Sequence, residues 1–173
     1  MIYIIIVVLV ALIDRTSKML IENKFQLGES QTIIENVFSL TRTKNTGVAF
    51  GAFQNGGLIL IGTSFVLMVV VIYMMYTNRN KLVRLGCSFI LGGAIGNLYD
   101  RVFLNGVTDF IDIPPLSFIF PNFNVADSFI VIGTIIIAIY LLFFSETNKI
   151  SKDQSKCQNT KMKKIKDNIN GEK

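Results

Sequence analysis

Residues 57–76 read GLILIGTSFVLMVVVIYMMY, a run of twenty residues without a charged side chain. The hydrocarbon core of a bilayer is about 30 Å thick, and a helix of about 20 apolar residues crosses it. This stretch therefore predicts a membrane-spanning helix over about 57–77. The composition agrees, because 51% of the 173 residues are hydrophobic and only 17% are charged, against roughly 25% charged residues in soluble domains.

Three further apolar runs predict helices on either side of this one. The run that follows Asp127 is uncharged as far as residue 145, so it is long enough to span. The runs 2–13 and 85–99 are shorter than a span, so a helix long enough to cross the membrane must include the charged residues that follow each of them. The predicted fold class is an all-α membrane protein, a bundle of four transmembrane helices at about 2–21, 57–77, 83–101 and 126–145.

Basic residues predict the orientation of this bundle. The connection between the second and third helices carries three basic residues and no acid, and the tail over 147–173 is rich in lysine. Basic loops stay on the cytoplasmic side of the membrane. We therefore expect one membrane-embedded domain over 1–146 with both termini cytoplasmic, a disordered basic tail, and segments 22–56 and 102–126 outside.

The polar residues of the predicted spans gather near the outer side of the membrane. They are Asp14 and Lys18 on the first helix, Asn97, Asp100 and Arg101 on the third, and Asn124 and Asp127 at the start of the fourth. Spacings of i, i+3 and i, i+4 place each set on one helical face. Because ionisable groups at membrane depth are costly and face a bundle interior or a wet cavity, a shared polar pocket explains them better than separate helix-end charges at the lipid headgroups.

The chemistry of such a pocket is limited by the absence of histidine from the chain, which excludes His-dependent zinc sites and Ser-His-Asp catalysis. Two carboxyl groups close together in a dry site share one proton, so one can activate water while the other protonates a leaving group. Asp109 and Asp127 are the favoured pair, because neither has a basic residue within four positions. The segment around Asp109 is predicted to lie at the interface, folded over the pocket, since Pro114 and Pro115 disfavour a continuous helix.

Asp14 and Asp100 are expected to be structural. Each has a basic residue within four positions, Lys18 and Arg101 respectively, so the pattern predicts two ion pairs. Without histidine or a CxxC motif, the sequence predicts no metal site and no cofactor.

Five sequence blocks occur together in the order of a known family. They are DRTSK at 14–18, NTGVAFG at 45–51, GNLYDR at 96–101, VTDFID at 107–112 and FNVADS at 123–128. With these blocks and four apolar runs, the chain resembles the bacterial lipoprotein signal peptidases (signal peptidase II), which are intramembrane aspartic proteases with four transmembrane helices. The resemblance implies an aspartic endopeptidase.

The resemblance also implies roles for particular residues. Asp109 and Asp127 would be the catalytic pair. The residues that would bind substrate or support the site are Asp14, Lys18, Asn45, Gly47, Asn97, Asp100, Arg101, Asn124 and Ala126. The implied substrate is a prolipoprotein whose cysteine already carries a diacylglyceryl group, cut just before that cysteine, at the bacterial cytoplasmic membrane near its outer leaflet. The implied partners are this substrate and membrane lipid, with no nucleic acid, and we expect a monomer.

The segment between the first two helices is predicted to form strands, and two charged residues of the chain do not follow the family pattern. Short strands near 32–34 and 38–42, followed by an Asn-Thr-Gly turn at 45–47, predict a small sheet, which in this family forms a cradle for the substrate. Where the family commonly has Gln after its first Asp, this chain has Arg15, which adds a charge near the pocket. Asp112 adds a third carboxylate, which is expected to lie at the solvated surface.

Other functions fit the sequence less well. A small proton-coupled transporter is the main alternative, but its charges should trace a path across the membrane, whereas these gather on one side. A Ser/Lys peptidase would use Lys18 with Ser17 or Ser128. Adjacent Ser17 and Lys18 point in different directions on a helix, which argues against that pair. A presenilin-like protease would need a Gly-x-Gly-Asp block after Tyr99-Asp100, and none follows. An assembly protein would use the polar faces for helix association alone.

Overall fold

A computed structural model describes residues 1–47, 57–117 and 121–143. Within these ranges four α-helices and three strands follow one another in the order α1, β1, β2, α2, α3, β3, α4, with a short 3-10 helix at Pro114–Leu116 between the last two. The helices are α1 Ile2–Lys24, α2 Gly57–Thr77, α3 Lys81–Phe103 and α4 Val125–Phe143, and the strands are β1 Ser30–Ile34, β2 Phe38–Asn45 and β3 Val107–Asp112. In the described part of the chain, each of these four helices overlaps one of the apolar runs identified in the sequence.

Three helices in the described part of the chain are long and apolar enough to cross a membrane, namely Leu58–Thr77, Lys81–Phe103 and Val125–Phe143. The mostly helical, multi-pass architecture expected from the sequence is confirmed. α1 has a comparable length of 23 residues. However, Asp14, Arg15 and Lys18 interrupt its apolar character, so length and composition alone do not mark it as a span.

Helix α3 is the most buried helix, and glycines let its neighbours approach closely. A Cβ on Gly92 would collide with Val10 of α1, and a Cβ on Gly93 would collide with the backbone carbonyl of Ala126 in α4. Its N-terminus is capped by Asn80, whose side chain accepts hydrogen bonds from the backbone amides that follow. By contrast, most large apolar side chains of α2 are exposed, as expected of a helix that faces lipid.

The three strands form one antiparallel sheet in the order β1-β2-β3. Thr43 of β2 lies opposite Asp109 of β3. Ile21 and Phe25 at the end of α1 pack with Phe110 of β3 in a buried apolar cluster, which holds the sheet against the helix. The two strands expected near 32–34 and 38–42 are confirmed and longer than predicted, whereas the third strand was not foreseen as a strand.

The chain divides into two compact units, Met1–Ile136 and Ile137–Lys173. All of the predicted site residues lie in the first unit. Of the second, the structure describes the last turns of α4, through Phe143. The predicted basic tail over 147–173 lies outside the described residues, as do residues 48–51 of the second sequence block and 144–145 at the end of the predicted fourth helix.

Candidate active site

The end of β2, the C-terminal part of α3, strand β3 and the N-terminal part of α4 line a cavity of about 550 Å³, to which α2 adds Leu60. The predicted site residues that line it are Asn45, Gly47, Asn97, Arg101, Asp109 and Asp127. Most of the remaining wall is apolar, with Val107, Ile113 and Ile132 among its residues. The cavity therefore joins a small polar patch to a largely apolar surface.

Asp109 lies on β3 with its carboxylate held by two amide side chains. The Nδ2 atom of Asn45 donates to Oδ2 at 3.0 Å, and the Nδ2 atom of Asn124 donates to Oδ1 at 2.6 Å. Burial raises the pKa of Asp109 to about 6, and repulsion from Asp127 adds to the rise, while the two amide donors and Lys18 oppose it. Near neutral pH this carboxyl group is therefore able to hold or release a proton.

Asp127 lies in the first turn of α4, where it forms a reciprocal cap with Asn124. The backbone amide of Asp127 donates to Asn124 Oδ1 at 3.0 Å, and the backbone amide of Asn124 donates to Asp127 Oδ2 at 3.3 Å. Such a capping arrangement satisfies helix-terminal amides and favours negative charge at the N-terminus. The carboxylate of Asp127 also accepts a hydrogen bond from α3, because Asn97 Nδ2 donates to its Oδ1 atom at 2.8 Å.

Asn124 connects the two aspartates. Its Nδ2 atom, which bonds Asp109, also donates to Asn97 Oδ1 at 3.2 Å. Because Asn97 in turn bonds Asp127, the four side chains form one hydrogen-bonded chain between β3, α3 and α4. The arrangement brings two carboxyl groups to one cavity and fixes both of them with neutral donors.

A second group of acids surrounds Lys18. The Nζ atom of Lys18 lies 2.7 Å from Asp14 Oδ2 and 2.8 Å from Asp100 Oδ2, and it donates to Asn97 Oδ1 at 2.9 Å. All three charged side chains are fully buried. The other oxygen of Asp14 accepts a hydrogen bond from the backbone amide of Ala126 at 2.8 Å, which joins α1 to the start of α4.

The structure confirms one predicted ion pair and corrects the other. Asp14 pairs with Lys18 as expected. Asp100, however, pairs with Lys18 and with Arg15, whose Nη1 atom lies 3.6 Å from Asp100 Oδ1, so the expected pair with Arg101 is wrong. Neighbouring residues on a helix do not face each other. Arg101 instead borders the cavity and donates to the backbone carbonyl of Asn97 at 3.4 Å.

The remaining predicted residues have distinct positions. Gly47 donates its backbone amide to Asn45 Oδ1 at 3.0 Å, the turn that the Asn-Thr-Gly sequence indicates. Ala126 is fully buried. Asp112 is half-buried and accepts a hydrogen bond from Thr41 at 3.2 Å, so it is not the freely solvated carboxylate that was expected, and it does not line the cavity.

Sequence reasoning missed two features of the site. Thr43 donates its hydroxyl to the backbone carbonyl of Asp109 at 3.1 Å, and only the strand register reveals this contact. The reciprocal cap was accessible, because Asn124 and Asp127 have the Asn-x-x-acid spacing that precedes an apolar helix. Among residues 1–47, 57–117 and 121–143, no group of three or more His, Cys, Asp and Glu side chains could hold a metal ion.

Comparisons with known proteins identify the family of the chain. The family model for signal peptidase (SPase) II matches residues 6–143, which contain every candidate site residue. A curated lipoprotein signal peptidase of Clostridium novyi (strain NT) is 39% identical over 142 residues, which make up 80% of this chain and 96% of the relative.

Two solved structures share the fold. Both are of a bacterial membrane enzyme determined by the in meso method. The first, at 2.3 Å resolution, has a TM-score of 0.75 and 31% identity over 81% of this chain and 87% of its own. The second, at 1.9 Å resolution, has a TM-score of 0.75 and 30% identity over 83% and 94%.

Proposed function

The chain belongs to the signal peptidase II family, and on that premise we propose that Asp109 and Asp127 are the catalytic pair with which it cleaves prolipoproteins. Its activity is that of a lipoprotein signal peptidase, a protease. The observation that carries the assignment is that these two aspartates border one cavity and are joined through Asn97 and Asn124.

In the proposed mechanism the two carboxyl groups take different parts. Asp109, with its raised pKa of about 6, supplies a proton to the oxygen of the scissile carbonyl. Asp127, at the N-terminus of α4 where negative charge is favoured, takes a proton from water as the water oxygen attacks the carbonyl carbon. Asp127 then gives that proton to the departing amine nitrogen, while Asp109 takes a proton back from a hydroxyl of the tetrahedral intermediate as the C–N bond breaks and the new carboxyl group forms. One water molecule is consumed, and the pair returns to its starting state.

The supporting residues act through these two. Asn45 and Asn124 orient Asp109, and Asn97 orients Asp127. Gly47 and Arg101 border the cavity, where a backbone amide and a guanidinium can donate to substrate carbonyl oxygens. We assign the structural role to the Lys18 cluster, made of Lys18, Asp14 and Asp100 together with the backbone amide of Ala126.

The substrate is proposed to be a prolipoprotein whose cysteine carries a diacylglyceryl group, cut just before that cysteine. The largely apolar wall of the cavity supports this, because acyl chains and small apolar side chains are favourably buried against such a surface. A substrate anchored in the bilayer by its own lipid would reach a site built at the ends of membrane helices without leaving the membrane.

Helix α1 is proposed to be the fourth span. Asp14 and Lys18 are fully buried against α3, so the helix does not present them to lipid, while Ile5, Leu9 and Leu12 are exposed. The polar ends of α1 and α3 then lie near the outer leaflet of the bacterial cytoplasmic membrane, with the sheet outside as a cradle. The basic connection after α2 supports a cytoplasmic position for both termini, and the domain is proposed to extend over 1–146 as a monomer.

The test is cleavage by the purified protein in detergent of a lipobox peptide with and without the diacylglyceryl group. Wild-type protein should cut the lipidated peptide alone. Asp109→Asn and Asp127→Asn should abolish cleavage, whereas the matched variant Asp112→Asn should retain it, because that carboxylate is on the same strand but does not line the cavity. A folded wild-type protein that leaves the lipidated peptide intact would overturn the proposed function.

A further inference from the structure

Arg15 forms a bridge between two acidic residues on different helices. Its Nη1 and Nη2 atoms lie 3.4 and 3.1 Å from the two carboxylate oxygens of Glu22, which follows seven residues later on α1. The Nη1 atom also lies 3.6 Å from Asp100 of α3. The guanidinium is therefore shared between the fully buried Lys18 cluster and a half-buried acid near the end of α1.

Glu22 also forms a hydrogen bond with a residue of the sheet. The hydroxyl of Thr108 donates to Glu22 Oε1 at 2.7 Å, and Thr108 is buried with 7% of its surface exposed. Thr108 immediately precedes Asp109 on β3. An unbroken line of polar contacts thus runs from Asp100 through Arg15 and Glu22 to the neighbour of the proposed catalytic aspartate.

We propose that Arg15 is a positioning residue for Asp109, acting through Glu22 and Thr108. This inference rests on the proposed function, because it presupposes that Asp109 takes part in the reaction. Adjacent residues of a strand point to opposite faces, so Thr108 reaches α1 while Asp109 reaches the cavity. Rotation of β3 about its own axis would move both side chains together, and the bond from Thr108 to Glu22 opposes that rotation.

The bond is not what attaches the sheet to α1. Phe110 packs against Ile21 and Phe25, and the Nη1 atom of Arg42 donates to the backbone carbonyls of Glu22 and Phe25 at 3.1 and 2.7 Å. These contacts remain when the hydroxyl of Thr108 is removed. Loss of the bond therefore leaves the sheet attached through Phe110 and Arg42, but it removes the polar contact that restrains β3 directly beside Asp109.

The arrangement also explains why an arginine suits position 15. A guanidinium presents several donors in a fixed plane and stays charged, so it can engage two carboxylates at once. A glutamine has one amide group and no charge, and it cannot replace both contacts. The proposal therefore predicts that Arg15→Gln weakens the same connection that a change at Thr108 breaks.

The experiment compares steady-state kinetics of Thr108→Val, Thr108→Ser, Arg15→Gln and the double variant Arg15→Gln/Thr108→Val on the lipidated peptide. Valine matches threonine in shape and favours strands, so Thr108→Val should keep its melting temperature. We expect kcat to fall about tenfold with KM unchanged, and Thr108→Ser to restore kcat by restoring the hydroxyl. The double variant should lose about tenfold, since both changes break one connection, rather than about a hundredfold.

Two controls separate the possible failures. Lys24→Gln removes an exposed positive charge from the same helix and should leave kcat unchanged. Asp109→Asn must be inactive, and activity in that variant would refute the catalytic pair itself. If Asp109→Asn is inactive while Thr108→Val and Arg15→Gln keep wild-type kcat, or if their effects multiply, the positioning proposal alone is overturned.

Discussion

Two groups of aspartates lie side by side in this molecule and are held in opposite ways. Asp14 and Asp100 share the ammonium group of Lys18, and all three side chains are fully buried. Asp109 and Asp127 instead accept hydrogen bonds from amides and border the cavity. In the described part of the chain, no ion pair joins a cation to either of them.

Under the proposed assignment, the difference separates structural carboxylates from reactive ones. A buried cation compensates the charge of its partners and couples their positions. Asp109 has no such ion pair, and burial raises its pKa to about 6 although its two amide donors oppose the rise. Asn97 connects the two groups. Lys18 can only donate, so Asn97 must turn its oxygen towards Lys18 and its nitrogen towards Asp127. The structural group thereby sets the orientation of a donor in the reactive one.

Among the changes considered, removal of the shared cation Lys18 should cause the largest loss of stability, because it breaks the structural group. Lys18→Met leaves Asp14 and Asp100 buried without compensation, and we expect the free energy of unfolding to fall by about 3–5 kcal/mol. Lys24→Met, an exposed lysine of the same helix, is the matched control and should have a small effect. Thermal unfolding in detergent measures both, and equal melting temperatures would contradict the role given to Lys18.

The pH dependence of stability should sharpen the comparison. The folded-state pKa of Asp109 is raised from 3.8 to about 6, so the folded protein binds more protons than the unfolded chain between these values. Its contribution to stability is present below pH 4 and is lost as the pH rises to about 6, a total of about 3 kcal/mol. Relative to wild type, Asp109→Asn should gain this amount between pH 4 and 7. A difference in unfolding free energy that stays constant across that range would show that Asp109 titrates normally.

A glycine of α3 offers a smaller perturbation of the structural group. A Cβ on Gly96 would collide with the carboxylate of Asp14, whereas a Cβ on Gly62 of α2 meets nothing within 4 Å. We expect Gly96→Ala to cost about 1–3 kcal/mol of stability through overpacking, and Gly62→Ala to cost nothing. Melting temperatures of the two variants provide the test. An equally harmless Gly96→Ala would mean that α1 and α3 are not held as closely as described.

Much of the fold follows from the sequence because its helices are long apolar runs. The predicted 57–77 and 83–101 correspond to α2 Gly57–Thr77 and α3 Lys81–Phe103, since burial in lipid demands such composition. Strand β3 was not predicted, because apolar and polar residues do not alternate regularly along Val107–Asp112. Its pairing with β2 and the packing of Phe110 on α1 are tertiary contacts, which no local pattern contains.

The sequence indicated some contacts among the candidate residues but not all of them. Spacing on single helices grouped Asp14 with Lys18 correctly. It could not show that Asp100 reaches Lys18 and Arg15, because those contacts cross from one helix to another. The same limit applies to Gly96, whose importance depends on the approach of the Asp14 side chain.

The most direct test of the central claim compares Asp→Asn variants at all four positions. For each of Asp14, Asp100, Asp109 and Asp127, the melting temperature and the kcat of the folded fraction on the lipidated peptide are measured side by side. We predict that the Asp109 and Asp127 variants lose about 10⁴-fold or more in kcat and keep a melting temperature at or above wild type, while the Asp14 and Asp100 variants melt lower and retain turnover. An active Asp109 or Asp127 variant, or an Asp14 variant that is fully stable yet inactive, would contradict the division of the four carboxylates into a reactive and a structural pair.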